Sequence, residues 1–146
     1  MVKLLVENNS SFDLPQYAHE GDSGMDVKAN ISEPIMLRSL ERCIIPTGLK
    51  VVIPEGYEIQ VRSRSGMVAK RGLVVGNSPG TVDACFRGEI GVILINLSNE
   101  PQVIEPGERV AQLVLAKVEK AELDQVEVVP QTTTRNDGAY GSSGRF

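Results

Sequence analysis

Glycine, proline and asparagine interrupt the apolar runs of this chain so often that only short extended elements fit between them. Pro54-Glu55-Gly56 stands before Y-E-I-Q-V at 57–61, whose alternation puts Tyr57, Ile59 and Val61 on one face. The same rhythm predicts strands over 2–6, 26–31, 42–45, 49–53, 57–61, 73–75, 90–97, 103–104, 110–118 and 123–129. P-T-G between 42–45 and 49–53 reads as hairpin chemistry. Only 65–71, S-G-M-V-A-K-R, reads as a helix. Strands do not alternate with long helices, which argues against a parallel βαβ sheet, and an all-β sandwich or barrel is expected. The Gly/Ser/Thr-rich segment from Thr132 reads as a mobile tail, giving a body over 1–131 and a tail over 132–146.

Composition narrows the function. A chain of 146 residues fits one domain with a real core. A net charge of −4 argues against non-specific binding to nucleic acid or to an anionic membrane. It leaves room for an anionic small ligand held by a local arginine cluster. The apolar runs are too short to span a bilayer, and the N-terminus lacks the pattern of a signal peptide. Cys43 and Cys85 are too few to staple a fold, and no Cys/His spacing suggests zinc. The cytoplasm is the expected compartment. His19 is the single histidine, which leaves little material for a histidine-based triad.

Five stretches carry possible chemistry, and each has an ordinary reading beside it. In S-G-M-D-V at 23–27, Asp26 is either an edge-strand acid or a carboxylate holding metal-bound water, which suits Mg²⁺. In R-S-R-S-G at 62–66, Ser65 is a fair N-cap, and Arg64 beside the first N–H groups would suit an anion. In N-S-P-G-T-V-D-A-C-F-R-G at 77–88, Pro79 and Gly80 predict a type II turn. The resulting hairpin offers Asp83 and the Phe86 ring, with Asn77 at its mouth; a solvated surface hairpin would look the same. In G-E-R-V-A-Q-L at 107–113, Gln112 is a polar residue on an apolar strand. In R-N-D-G-A-Y-G-S-S-G at 135–144, glycines interleave with Tyr140, Ser142 and Ser143 as in a phosphate cradle, but without a P-loop lysine.

Together and in this order, the five stretches closely resemble the motifs of the trimeric dUTPase family, from about residue 15 onward. The resemblance implies a jelly-roll-like β-barrel with one short helix, forming a homotrimer whose tail reaches a neighbouring subunit's site. It implies hydrolysis of dUTP to dUMP and diphosphate with Mg²⁺. Asp83 matches the acid that contacts the sugar 3′-hydroxyl and orients the attacking water. Phe86 matches the ring on the sugar. Asn77 and the backbone of Gly80, Thr81, Val82 and Gly91 match the part that reads uracil. Arg64, Ser65 and Gly66 match the phosphate-binding segment, with Ser65 counted among the catalytic groups. Asp26 matches the acid holding Mg²⁺ through water, and Gln112 matches a polar group near the α-phosphate and the water. Arg135, Tyr140, Gly141, Ser142 and Ser143 match the tail that closes over the substrate.

Three positions depart from the usual pattern. Phe86 stands where Tyr is common, Cys85 where Asp or Gly is common, and Tyr140 in R-N-D-G-A-Y where R-G-x-G-G-F is common. None removes a charge that the chemistry needs. Two other readings compete. A dCTP deaminase of the same superfamily would fit Phe86 but lacks its glutamate motif here. A catalytically silent module on the same scaffold would not need Asp83, Arg64 and Arg135.

Overall fold

Arg109–Lys117 is the longest strand, and three other strands assemble on or beside it in one sheet. The computed structural model describes residues 1–145, so Phe146, the last residue of the expected tail, lies outside the described residues. In chain order the elements are β1 (Leu5–Asn8), β2 (Met25–Lys28), β3 (Ile35–Leu37), β4 (Arg42–Pro46), β5 (Leu49–Val52) and β6 (Tyr57–Arg62). Then follow α1 (Ser65–Arg71), β7 (Leu73–Val75), β8 (Gly80–Val82), β9 (Gly91–Asn96), β10 (Gln102–Ile104) and β11 (Arg109–Lys117). The largest sheet runs β2-β11-β6-β8, and a second runs β4-β9-β7. Two-stranded ribbons, β1-β5 and β10-β3, complete an all-β barrel in which every pair is antiparallel.

Alternation explains which faces are buried. Ile59 and Val61 of β6 point inward, as do Val92 and Leu94 of β9 and Leu113 of β11. They meet Val27, Ile45, Leu73, Val75 and Ile104 in a single core. Asn96 is fully buried yet satisfied: its amide donates to the carbonyls of Leu37 (2.9 Å) and Glu100 (2.8 Å), and its Oδ1 accepts from Ser98. No helix among the described residues is long and apolar enough to cross a membrane.

Several expectations need correction. The runs 42–45 and 49–53 do not form a hairpin, because β4 pairs with β9 and β5 with β1. P-T-G is a corner between sheets. Buried Thr47 holds it, donating to Ile90 O at 2.7 Å and accepting from Leu49 N at 3.2 Å. Gly48 has φ 72°, and a side chain there would strike Ser10 and Asn30. The segment 77–88 is not a closed hairpin. β7 and β9 pair with each other, and the loop between them sends β8 across to β6. Its turn is not type II: the Ser78–Pro79 peptide is cis, and Gly80 is not among the glycines with positive φ. Gly80 is small because Val61 and Asn77 crowd it, at 3.1 and 3.2 Å from where a Cβ would stand. The strand expected over 123–129 is absent; Leu123, Val126, Val128 and Val129 are exposed instead. The strand expected over 2–6 is shifted to Leu5–Asn8, and β3 and β8 have no counterpart in the expected strands. Helix α1 has the expected span, but its N-cap is Arg64 with no side-chain cap bond, so Ser65 is the first helical residue.

Candidate active site

The register of one sheet gathers three of the five stretches. On β11, Gln112 stands opposite Asp26 of β2 on one side and opposite Arg62 of β6 on the other. A register shift between Arg109 and Ala111 marks a bulge, which turns the strand's start while keeping Val110 and Ala111 buried. The chain leaves β6 through Ser63 and enters α1 at Ser65, so Arg64 lies at the end of this sheet.

Side chains then converge. Arg64 Nε donates to Asp26 Oδ1 at 3.0 Å, and Arg64 Nη1 donates to Arg109 O at 3.2 Å. Arg109 Nε lies 3.9 Å from the other Asp26 oxygen. Two guanidiniums against one carboxylate leave a net positive cluster. Arg64 and Asp26 are each about one-third exposed, at 32% and 34%, so an incoming anion can reach them. Gln112 Nε2 donates to Ser63 O at 3.0 Å. Its Oε1 occupies the space that a side chain at Gly24 would need, which is why this position is glycine. A cavity of about 600 Å³ opens beside the cluster, with Asp26, Arg109 and Gln112 in its wall together with residues of the segment 10–18.

Asp83 stands elsewhere. β8 pairs with β6 through Val61↔Gly80, Gln60↔Thr81 and Ile59↔Val82, which carries Asp83 to the level of Glu58. That is four residues along β6 from Arg62, or about 13 Å at the rise of a strand. Asp83 is exposed, and its carboxylate has no partner among the described residues. Its carbonyl accepts from Phe86 N at 3.0 Å, closing a tight turn. Arg87 spans the same turn, donating to Ala84 O (2.6 Å) and Phe86 O (2.8 Å). The Phe86 ring is 43% exposed, and Asn77 is exposed at the far end of the loop. β8 is an edge strand, so one row of its backbone N–H and C=O groups is unpaired within the sheet.

Over residues 132–144 the tail makes only local hydrogen bonds. Thr132, Gly138, Ser142 and Gly144 donate backbone bonds to acceptors within residues 130–141. Arg135 Nε donates to Gly138 O at 2.7 Å, and Tyr140 is fully exposed. One chain therefore assembles Asp26, Arg64 and Gln112 with Ser65 and Gly66 beside them. It keeps Asp83 and Phe86 apart from that cluster, and Arg135, Tyr140, Gly141, Ser142 and Ser143 apart from both.

Two participants were not singled out from the sequence. Arg109 offers a carbonyl to Arg64 and a guanidinium to Asp26; the pointer to it was a charged residue opening an apolar strand just after a Gly turn. Ser63 accepts from Gln112 through its carbonyl, and its Oγ accepts from Val75 N at 2.8 Å. Nothing in R-S-R-S-G marks the first serine as the one that ties two strands.

Known proteins match this chain across nearly its whole length. A family profile described as dUTPase matches residues 10–144. A deoxyuridine 5'-triphosphate nucleotidohydrolase of Fusobacterium nucleatum is 52% identical over 144 residues, covering 99% of this chain and 98% of that protein. One of the same name from Chlamydia muridarum is 51% identical, covering 98% of this chain and 99% of that protein. Among solved structures, a dUTPase of Staphylococcus bacteriophage 80alpha with dUpNHpp superimposes with TM-score 0.83 at 29% identity, covering 99% of this chain and all of that one. A mutant dUTPase from phage phi11 of S. aureus, which coordinates a structural Mg(II) ion, gives TM-score 0.78 at 28% identity over 88% of this chain and 99% of its own. With the family profile spanning nearly the whole chain and relatives at half identity over full length, this protein belongs to the dUTPase family.

Proposed function

We propose that this chain hydrolyses dUTP to dUMP and diphosphate, in sites shared between the copies of a homotrimer. The observation that carries the reading is the division of the site within one chain. A charged cluster at Asp26, Arg64 and Gln112 lies about 13 Å along β6 from the free carboxylate of Asp83. A single chain thus supplies two half-sites, and a neighbouring copy supplies the complement of each. The tail from Thr132, proposed as a lid over 132–146, supplies the third part. The exposed apolar residues of 123–129 support the same assembly, since they have strand composition and lack a partner strand in their own chain.

Each group then has a task. Asp83 orients a water and takes its proton as the water oxygen bonds to the α-phosphorus and the bond to the bridging oxygen of the diphosphate breaks. Arg64 and the backbone of Ser65 and Gly66 hold the phosphates, with Ser65 Oγ beside the reacting group. Gln112 steadies the water or an α-phosphate oxygen. Arg135, Ser142 and Ser143 close on the phosphates, while Tyr140 stacks on the base over Gly141. The open edge of β8 at Gly80, Thr81 and Val82 reads uracil with Asn77 and Gly91. Such a pattern leaves unpaired groups against cytosine, which is a large penalty. The Phe86 ring packs on the sugar.

Among the described residues no three His, Cys, Asp or Glu gather to cage a metal. That suits Mg²⁺, which keeps most of its waters and binds through one or two carboxylates plus substrate phosphates. Asp26 would hold it through water. When bound, the ion neutralises triphosphate charge. The substrate and products are those of cytoplasmic nucleotide pools, and a cytoplasmic location is part of the proposal.

The test is diphosphate release with dUTP, dCTP, dTTP and UTP, with ammonia release followed in parallel. Diphosphate from dUTP alone is expected. Ammonia from dCTP, or no turnover of dUTP, would sink the reading.

A further inference from the structure

We propose that Gly88 is a specificity-determining position for the sugar, acting through Phe86, because the missing side chain at 88 is the space in which the Phe86 ring rests. The inference builds on the proposed function, in which that ring packs on deoxyribose. A Cβ added to Gly88 would stand 2.6 Å from Phe86 Cζ, 3.0 Å from Cε2 and 3.4 Å from Cε1. These atoms form the outer edge of the ring. Gly88 is not among the residues with positive φ, so its backbone is open to any L-residue. The glycine therefore serves a close approach and not an unusual conformation.

The ring, and not the loop, is the part free to move. Phe86 N donates to Asp83 O at 3.0 Å, and Phe86 O accepts from Arg87 Nη1 at 2.8 Å. The backbone of Phe86 is pinned on both sides, and the ring rests its edge on Gly88 while staying 43% exposed. Carbon–carbon contacts settle near 3.5–4.0 Å. An alanine at 88 would push the outer ring atoms by about 1 Å, which is on the scale of the 2′-hydroxyl by which ribose differs from deoxyribose. Asp83, at the other end of the same turn, keeps its hydrogen bond to Phe86 N. Gly88→Ala should therefore change which sugar is accepted more than it changes the rate with dUTP.

The experiment measures the ratio of kcat/KM for dUTP to that for UTP, with thermal melting, in four proteins: wild type, Gly88→Ala, Phe86→Ala and the double variant. Gly88→Ala should lower the ratio about tenfold or more, the scale of a one-methylene misfit. In the Phe86→Ala background the same change should have no further effect on the ratio, and it should depress the melting temperature less than it does in wild type. An unchanged ratio in Gly88→Ala overturns the inference. So does an effect of equal size with and without the ring, in ratio or in melting temperature, since the glycine would then serve the backbone. If Gly88→Ala folds poorly, recovery of the fold in the double variant supports the inference, and lack of recovery overturns it. Wild-type protein that hydrolyses no dUTP strikes the proposed function itself; a dUTP-selective wild type with an unmoved variant strikes only the role of Gly88.

Discussion

The role proposed for Asp83 rests on its being left alone by the nearest cation. Arg87 is four positions away, yet its guanidinium turns to the carbonyls of Ala84 and Phe86 and not to the acid. Asp83 thus presents an exposed carboxylate to solvent, whereas Asp26 Oδ1 already accepts from Arg64 Nε at 3.0 Å. Asp83→Asn should keep nucleotide binding, because an amide still hydrogen-bonds a sugar hydroxyl. It should lose at least about 10²-fold in turnover, the low end for a general base. Binding by calorimetry set against diphosphate release checks this, and a variant with near-normal turnover would remove Asp83 from the role. The two cysteines differ in the same local way. Cys43 packs against the core, and burial pushes its thiol up; Cys85 is exposed on the Asp83 turn. Mass spectrometry after brief treatment with iodoacetamide at pH 8 should find Cys85 alkylated well before Cys43, because only the thiolate reacts. Equal labelling would contradict the packing of Cys43.

At the scale of elements, α1 and the β10–β11 turn are clamped together by one arginine. Arg71, in the last turn of α1, pairs with Glu108 and donates to Val103 O and to Gln102 Oε1. Glu108 in turn accepts from Glu105 N at 3.0 Å, and its carbonyl accepts from Ala29 N at 2.8 Å. The clamp thus fixes the turn that delivers Arg109 to the Asp26 cluster. These groups are partly exposed, so water would replace some of the lost bonds in Arg71→Met. The expected loss is about 1 kcal/mol, or a fall in melting temperature of about 2–4 °C. An unmoved melting temperature would show the clamp to be idle. The tail is an element of the opposite kind, with only local bonds in residues 130–144. Ordering it costs roughly 1–2 kcal/mol per residue, which several charge-assisted contacts to a triphosphate can offset. Truncation after Val129 should leave a folded protein whose turnover falls by about 10³-fold, as loss of an arginine finger does. Near-full activity in the truncated chain, with melting unchanged, would dispose of the lid.

At the scale of the whole molecule, the proposed shared site calls for a second copy. Sedimentation should show a single species of three times the chain mass, and activity should fall where dilution breaks it up. A fully active monomer would refute the shared site. Much of this was legible in the residues themselves. The span of α1, the inward face of β6 and the ordered motifs all depend on neighbours a few positions away, and local chemistry is written locally. The partners were not legible. Pro46-Thr47-Gly48 announces a turn, yet nothing in it says whether the chain returns to its own sheet or crosses to another; buried Thr47 bonded to Ile90 decided that. Pro79-Gly80 suggested a type II turn with Gly80 at positive φ, whereas Gly80 is there because Val61 and Asn77 leave no room for a side chain. Residues 123–129 have strand composition without a strand, because β-propensity expresses fit to a neighbouring strand and none of the described residues pairs with them. Residue types by themselves determined which groups could do chemistry. Only the tertiary structure decided that Arg64 meets Asp26 and Gln112 meets Ser63 while Asp83 stands apart, because pairing register is a long-range property set by what the core buries.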